Sequence, residues 1–182
     1  MTPPQYALVA YVRNSVGEFV ESLRREFHPK HAHLPAHISV LPPRRLQGSE
    51  RDALDILERV CRQVEPFEIV LGEVASFAPI TPTVFVRVAH AAYRMRELHD
   101  RINSGALCAD EPWPYMPHLT IVRMDTPEEI APVLEEARRR WSEFRGSRRL
   151  LLEQLTFVRE AGENRWTDLA PVPLGRRLAP TR

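Results

Sequence analysis

The stretch LPAHISVLPP, residues 34–43, carries a histidine and a hydroxyl two residues apart in an otherwise apolar run that ends in two prolines. Side chains alternate faces along a strand, so His37 and Ser39 point one way while Ile38 and Val40 point the other. We therefore predict a strand with one apolar face and one face that bears an imidazole and a hydroxyl, closed by the Pro-Pro pair.

The same pattern recurs as PHLTIV at residues 117–122, and the two histidines lie 81 residues apart. A pattern of three residues is short enough for two matches to arise by chance. Both copies, however, lie on short apolar runs, follow a proline closely and precede a helix with an identifiable cap. A single such histidine is typical of a partly buried residue bonded to a neighbour. Two in matched surroundings indicate a shared site.

The composition is that of an ordinary soluble globular protein, with 182 residues, 43% hydrophobic and 27% charged. This length suffices for one ample core or for two small lobes that share one. A net charge of +1 gives no strong positive field for non-specific binding of long nucleic acid. A small phosphorylated ligand or the end of a nucleic-acid strand is more consistent with this charge. Cys61 lies on the apolar side of a predicted helix, which favours a core residue over a disulfide.

The N-terminal residues 1–5, MTPPQ, lack the basic region and long apolar segment of a signal peptide. No apolar run approaches the length needed to span a bilayer. We therefore expect a cytoplasmic protein that does not enter the membrane, and we expect a monomer.

Hydrophobic periodicity and turn residues predict alternating strands and helices. In addition to the two histidine strands, the predicted strands are 6–12, 67–77, 83–89, 150–159 and 165–174, the last two forming a hairpin around residues 161–164. The predicted helices start at Asn14 or Ser15, cover about 49–64 and 91–104, and start again at Thr126. The order is strand, helix, histidine strand, helix, strand, and then the same again with one extra strand.

This order predicts an internal repeat within a single domain of residues 1–182, with pseudo-repeats at about 5–78 and 82–175. Duplicated halves commonly pack about a pseudo-twofold axis, which would set the two histidine strands across from each other. Two facing imidazoles can act as general base and general acid, because their ordinary pKa near 6.5 allows one to be neutral and the other charged.

The hydroxyls of Ser39 and Thr120 would then donate hydrogen bonds to the oxygens of a tetrahedral anion. Phosphate suits this geometry, because its pentavalent transition state has an attacking and a leaving oxygen in line, one for each histidine. The expected chemistry is the opening of a cyclic phosphodiester, or attack of a ribose hydroxyl on a neighbouring phosphate, with no metal required. A Ser or Thr nucleophile is disfavoured, because neither a sharp elbow nor a third orienting acid is evident.

The segments His37-Ile38-Ser39-Val40 and His118-Leu119-Thr120-Ile121 resemble the two H-x-[ST]-x motifs of the 2H phosphoesterase superfamily, within its 2′-5′ RNA ligase-like group. The Leu-Pro-Pro run at residues 41–43, the proline before the second motif and Arg123 soon after it support the resemblance. It covers most of the chain. Serine stands in the first motif where threonine is more usual, a change that keeps the hydroxyl.

The resemblance implies an α+β fold with two lobes, mainly antiparallel sheets and a central cleft. It also implies metal-independent hydrolysis of 2′,3′-cyclic or 2′-5′ phosphodiesters without a cofactor, acting on an RNA terminus, a cyclic nucleotide or a small phosphodiester. In this sequence, His37 and His118 would be the acid–base pair, and Ser39 and Thr120 would hold the phosphate. The resemblance defines the type of reaction far better than the substrate.

Three further residues are weaker candidates for the site. Arg123 could neutralise a phosphate oxygen, although strand alternation puts it on the face opposite His118 and Thr120 unless the strand twists or ends there. Tyr115 could stack on a base or ribose, or simply pack its loop. Arg13, at the end of the first strand, could reach the cleft or remain a solvated surface charge.

Two other functions compete with this hypothesis. His31, His33 and His37 form an H-x-H-x-x-x-H pattern that could bind zinc in a hydrolase, but no acidic or cysteine cluster accompanies them and the second motif stays unexplained. Alternatively, the same cleft could bind a nucleotide or phosphorylated ligand without turnover. Sensitivity to chelator separates the first alternative from a two-histidine enzyme, and turnover separates the second.

Overall fold

The computed structural model describes residues 3–162 and 164–175, which form eight strands and four α-helices. The strands are β1 (Tyr6–Tyr11), β2 (His37–Arg44), β3 (Phe67–Ser76), β4 (Thr83–His90), β5 (His118–Arg123), β6 (Arg149–Leu152), β7 (Gln154–Gly162) and β8 (Arg165–Pro173). The helices are α1 (Ser15–Phe27), α2 (Glu50–Cys61), α3 (Ala92–Ile102) and α4 (Ile130–Glu143).

All eight strands belong to one antiparallel sheet with the order β6-β3-β4-β5-β2-β1-β7-β8. Only Glu153 separates β6 from β7 along the chain, yet five other strands lie between them in the sheet. The sheet must therefore curl until its two ends approach each other, which extends the ordinary twist of antiparallel strands. The predicted α+β fold is confirmed, and the two histidine strands β2 and β5 are neighbours at the middle of the sheet.

Helix α1 begins directly against the end of β1. The Asn14 side chain accepts hydrogen bonds from the backbone N–H groups of Val16 and Gly17, at 3.1 and 3.3 Å, so Asn14 rather than Ser15 is the cap. A Cβ atom at Gly17 would lie 1.8 Å from the carbonyl oxygen of Val12. Glycine is therefore required where the first turn of α1 crosses the strand end.

The remaining helices cover the sheet with apolar stripes, as their periodicity predicts. Helix α2 begins at a capping box formed by Ser49 and Asp52 and ends at Cys61, earlier than predicted. Cys61 is fully buried and is not part of a disulfide, which confirms its assignment to the core. Among residues 3–162 and 164–175, no helix has the length and apolar character needed to cross a membrane.

The first histidine strand does not stop at its two prolines, contrary to the sequence prediction. Strand β2 continues through Pro42 and Pro43 to Arg44, which pairs with Tyr6 of β1. The register between the two strands shifts on both sides of Leu8. An irregular ladder of this kind tolerates residues that lack an N–H donor.

The predicted strand 150–159 is in fact two strands. Leu152 and Leu155 are buried, whereas Glu153 and Gln154 between them are exposed, so the alternation slips by one residue. Before this slip β6 pairs with β3, and after it β7 pairs with β1. The hairpin that follows pairs Gly162 with Arg165, while Glu163 lies outside the described residues.

Candidate active site

The two motifs lie side by side because β2 and β5 pair antiparallel through Ile38 and Leu119. Both of these side chains are completely buried on the core side of the sheet. Continuing the register by one residue each way sets the histidine of each motif across from the hydroxyl of the other, on the opposite face. We call this the motif face; it carries His37, Ser39, His118 and Thr120.

Each motif histidine makes the same hydrogen bond to the backbone. The Nδ1 atom of His37 lies 2.8 Å from the carbonyl oxygen of Pro35, and Nδ1 of His118 lies 2.7 Å from that of Met116. A carbonyl oxygen can only accept, so Nδ1 carries a hydrogen in both rings. The Nε2 atom of each ring is therefore the one that can take up or release a proton.

The surroundings of the two rings lower the pKa of both. Burial lowers the pKa of His37, and the positive charges of Arg24 and His118 lower it further, while the bond to Pro35 works in the opposite direction. Burial likewise lowers the pKa of His118, against the bond to Met116. Both imidazoles therefore favour the neutral form at pH 7, and the second proton to enter the site is opposed by the first.

Two phenylalanines enclose the ring of His118. Phe77 and Phe85 stack on each other at 4.1 Å between ring centroids, and both approach His118 edge-on, at 5.0 and 5.2 Å. Phe85 pairs with Thr120 in the ladder between β4 and β5, so its ring lies on the motif face. This aromatic pocket excludes water from one side of His118 and fixes the plane of its ring.

Arg123 reaches the motif face through a β-bulge. Phe85 pairs with Thr120, whereas the preceding residue Val84 pairs with Val122, so β5 carries one extra residue at Ile121. The extra residue reverses the alternation, and Arg123, which pairs with Thr83, lies on the same side as Thr120. The sequence pattern alone put Arg123 on the other face. The Arg123 side chain is exposed.

Tyr115 contacts the backbone of the first motif. Its ring stacks on His99 at 4.3 Å with an angle of 2° between the planes, and its hydroxyl donates a 2.9 Å hydrogen bond to the carbonyl oxygen of Ser39. Burial raises the pKa of this phenol, so the hydroxyl keeps its proton. One ring face and the hydroxyl of Tyr115 are thus already engaged within the protein.

Sequence reasoning missed a polar group on β1 that borders the motif face. Tyr11 pairs with His37 and shares its face, and its hydroxyl donates to Asp168 of β8 at 2.6 Å. The guanidinium of Arg13 lies 4.9 Å from the centre of the Tyr11 ring. Tyr11 was predicted only as part of the strand 6–12, because the sequence does not reveal which face of β1 borders His37.

Sequence reasoning also missed Arg24, which is only 4% exposed in α1. Its guanidinium donates hydrogen bonds to the backbone carbonyl oxygens of Thr120 and Ile121, at 2.6 and 2.9 Å. The available signal was its position: Arg24 follows Val20 by four residues, and Val20 belongs to the buried stripe of the helix. A cation within an apolar stripe requires buried acceptors.

The three histidines of the zinc alternative do not come together. The ring of His31 stacks on His28, and the two nitrogen atoms of His33 approach the carbonyl oxygens of Lys30 and Asn164. His37 is bonded to Pro35 on the motif face. Within the described part of the chain, no three histidine, cysteine or acidic side chains are grouped so that they could hold a metal ion.

The sheet order and the two histidine–hydroxyl pairs match the arrangement expected of a two-histidine phosphoesterase. The family model of the 2′-5′ RNA ligase superfamily matches residues 12–164, and the chain belongs to this superfamily. A protein of Oceanobacillus iheyensis whose name assigns it to the phosphoesterases is 21% identical over 133 residues, which is 71% of this chain and 76% of the relative. The chain is an enzyme of this phosphoesterase class.

Solved structures share the fold. The crystal structure of E. coli LigT with phosphate has a TM-score of 0.65 at 14% identity and covers 96% of this chain and 100% of LigT. LigT with 3′-AMP has a TM-score of 0.64 at 16% identity and covers 94% and 98% of the two chains. These likenesses show the fold of this chain, whereas its substrate has to be inferred from its own residues.

Proposed function

We propose that this protein is a metal-independent phosphodiesterase that acts on 2′,3′-cyclic phosphates or 2′-5′ phosphodiester bonds of RNA ends or nucleotides. The observation that carries the proposal is the pairing of two histidine–hydroxyl motifs on adjacent strands, each ring bonded to the backbone through Nδ1. Two exchangeable Nε2 atoms and two hydroxyl donors on one face suit an in-line displacement at phosphorus.

His37 is the general base in this proposal, and His118 is the general acid. Burial lowers the pKa of both rings, and the nearby cation of Arg24 lowers that of His37 further, so we place the single proton of the pair on His118. A neutral His37 can accept a proton from water, while a charged His118 can donate one. The assignment thus follows from the charges that surround two otherwise similar rings.

The hydrolysis of a 2′,3′-cyclic phosphate then proceeds in one balanced step. Nε2 of His37 takes a proton from a water molecule as the water oxygen forms a bond to phosphorus. The bond from phosphorus to one ribose oxygen breaks, and Nε2–H of His118 gives its proton to that oxygen. The product is a phosphomonoester, and exchange with solvent restores the two protonation states. For a 2′-5′ linkage, the same pair serves the attacking and the leaving ribose oxygen.

Ser39 and Thr120 hold the non-bridging phosphate oxygens, on which negative charge accumulates in the transition state. Arg123 shares the motif face and supplies a cation for the same charge. We assign no substrate contact to Tyr115, because its hydroxyl and one ring face are already engaged. LigT binds phosphate and 3′-AMP, and 3′-AMP is a phosphomonoester of the kind that opening of a 2′,3′ ring would yield.

The matching roles of the two motifs also lead us to propose that residues of about 5–78 and 82–175 are pseudo-repeats of one domain. Each half in chain order supplies one histidine strand, and these strands meet at β2 and β5. We further propose that the enzyme works as a monomer in the cytoplasm on RNA termini or cyclic nucleotides. Gel filtration and fractionation of cells test these two statements directly.

The first experiment measures hydrolysis of a panel of 2′,3′-cyclic nucleotides and 2′-5′-linked dinucleotides in the presence of EDTA. The wild-type protein is compared with His37→Ala and His118→Ala, and with His90→Ala as a control at an exposed position. We expect chelator-resistant turnover that falls about 10³-fold in each motif variant and is unchanged in the control. The identity of the product names the bond that is cleaved.

Two other results would overturn the proposal. Tight binding of the panel without any turnover would identify a binding module. Turnover abolished by EDTA and restored by zinc would point to a metal hydrolase, and His31→Ala and His33→Ala would then show whether the histidine-rich loop is involved.

A further inference from the structure

The junction between the two motif strands is narrow. Strands β2 and β5 share one residue pair, Ile38 with Leu119, whereas each of them shares five pairs with its outer neighbour, β1 or β4. A single ladder pair constrains the relative position of two strands less than five pairs do. The spacing of the motifs therefore depends on contacts other than the ladder between them.

Arg24 forms one such contact. This arginine of α1 donates hydrogen bonds to the carbonyl oxygens of Thr120 and Ile121 in the second motif. It also donates to the carbonyl oxygen of Leu34, at the entrance to the first motif. A single buried guanidinium thus ties the first half of the chain to the backbone of Thr120. Lysine cannot replace this planar fork, because its ammonium group is a single point.

Tyr115 forms the reciprocal contact. It precedes the second motif, and its hydroxyl donates to the carbonyl oxygen of Ser39 in the first motif. Its ring is held against His99, whose Nε2 lies 3.0 Å from the carboxylate of Glu111. Glu111 is paired in turn with Arg44, which is 6% exposed at the end of β2. Tyr115 is thus linked to both ends of the first histidine strand, directly to Ser39 and through His99 and Glu111 to Arg44.

The geometry points to Arg24 and Tyr115 as a reciprocal pair of positioning residues, each holding the backbone carbonyl of the hydroxyl-bearing residue in the opposite motif. Together they set the width of the phosphate site between Ser39 and Thr120. This inference deepens the proposed function and rests on it. Displacement of a catalytic group by about 1 Å can cost about 100-fold in rate. Loss of either bracing interaction, the hydrogen bond of Arg24 to Thr120 or that of Tyr115 to Ser39, is therefore expected to lower kcat.

The test uses substitutions that remove only the bracing interaction. Tyr115→Phe deletes the hydroxyl and keeps the ring against His99, and Arg24→Lys keeps the charge and loses the fork. Tyr93→Phe, at a side chain that is 65% exposed, and Arg25→Lys, at the exposed neighbour of Arg24, are the matched controls. We expect kcat per folded molecule to fall about 10-fold or more in each bracing variant, with KM within about threefold of wild type and unchanged controls.

A second readout does not depend on turnover. Titration of ¹⁵N-labelled protein with inorganic phosphate gives the affinity for the anion, and the amide shifts of Ser39 and Thr120 report the motif backbone. We expect both bracing variants to move the amide signal of the opposite motif and to weaken phosphate binding by up to about threefold, in line with the change in KM, while the controls do neither. Bracing variants that match their controls in kcat, amide shifts and phosphate affinity would overturn the inference.

The outcomes also separate failure of the inference from failure of the proposed function. A wild-type protein inactive on the whole panel contradicts the proposed function, and the phosphate and amide measurements still decide whether the braces position the motifs. If Arg24→Lys does not fold, Tyr115→Phe decides alone, because it removes only the hydroxyl and leaves the aromatic packing in place.

Discussion

His37 and His118 are held by the same hydrogen bond but lie in different surroundings. Each ring donates from Nδ1 to the carbonyl oxygen two residues before it. His118 lies in the aromatic pocket of Phe77 and Phe85, whereas His37 lies within the field of the buried Arg24 cation. In the proposed mechanism, the shared bond leaves Nε2 of both rings available for proton transfer, and the differing neighbours decide in which direction the proton moves.

In the proposed mechanism, a near-symmetric site carries out a directional reaction. Neither ring needs a carboxylate partner, because the backbone already fixes the tautomer. The asymmetry comes from residues outside the motifs. We therefore expect substitutions inside the motifs to affect the two halves alike, and substitutions of the neighbours to affect them differently.

After the loss of the histidines themselves, the largest effect is expected from the hydroxyls, and it tests the likeness of the two motifs. Ser39→Ala and Thr120→Val each remove one hydrogen bond to an anionic transition state. Such a bond is worth about 1.5–3 kcal/mol, so we expect each variant to lose roughly 10- to 100-fold in kcat/KM. The measurement is steady-state hydrolysis of the best substrate of the panel. If the losses of Ser39→Ala and Thr120→Val differ from each other by much more than about tenfold, the two hydroxyls do not hold the phosphate alike.

The matched controls exchange the hydroxyl between the motifs. Ser39→Thr introduces the residue that is more usual in the first motif, and Thr120→Ser keeps the hydroxyl without the methyl group. We expect both to retain activity within about threefold of wild type, since the donor remains.

A smaller effect, confined to one histidine, is expected from Phe85→Leu. Opening the aromatic pocket lets water reach His118, so the pKa of His118 rises towards its ordinary value. If His118 is the general acid, the alkaline limb of the pH–rate profile moves to higher pH and the acid limb, set by His37, stays in place. Movement of the acid limb alone would reverse the assignment of base and acid.

Phe157→Leu is the control for this substitution. Phe157 is fully buried and stacks on Tyr6 at 5.6 Å, in the part of the sheet formed by β1 and β7. The variant loses a comparable amount of core packing, about 1–3 kcal/mol, without contact to His118. It should leave both limbs of the profile unchanged.

The sequence was sufficient to predict most elements of the fold. Alternation placed the histidine and hydroxyl of each motif on one strand face, and the structure agrees for β2 and β5. What alternation could not anticipate was a local slip of register. The bulge at Ile121 turns Arg123 to the motif face, and the slip at Glu153 sends the chain from β6 to β7.

The bracing residues were beyond sequence reasoning for a different physical reason. Arg24 and Tyr115 act on backbone carbonyl oxygens that lie 96 and 76 residues away in the chain. Such acceptors carry no side-chain signature, because every residue offers a carbonyl oxygen. A buried cation in an apolar stripe reveals that acceptors exist, and only the packing of α1 on β5 shows which ones they are.

The smallest expected effect concerns stability, because both motif histidines are partly buried and their pKa is lowered. The unfolded chain, with an ordinary histidine pKa near 6.5, then binds more protons than the folded protein at mildly acidic pH. The free energy of unfolding must therefore decrease as the pH falls through 6.5, and the decrease ends below the lowered folded pKa. Urea unfolding at pH 7 and pH 5 measures this decrease.

His37→Gln cannot be protonated, so it should lose less stability over this interval than the wild type, whereas His90→Gln, at an exposed position, should follow the wild type. An equal loss in His37→Gln and wild type would mean that His37 is as easily protonated in the folded protein as in the unfolded chain, and the asymmetry between the two motif histidines would then have to come from the aromatic pocket alone.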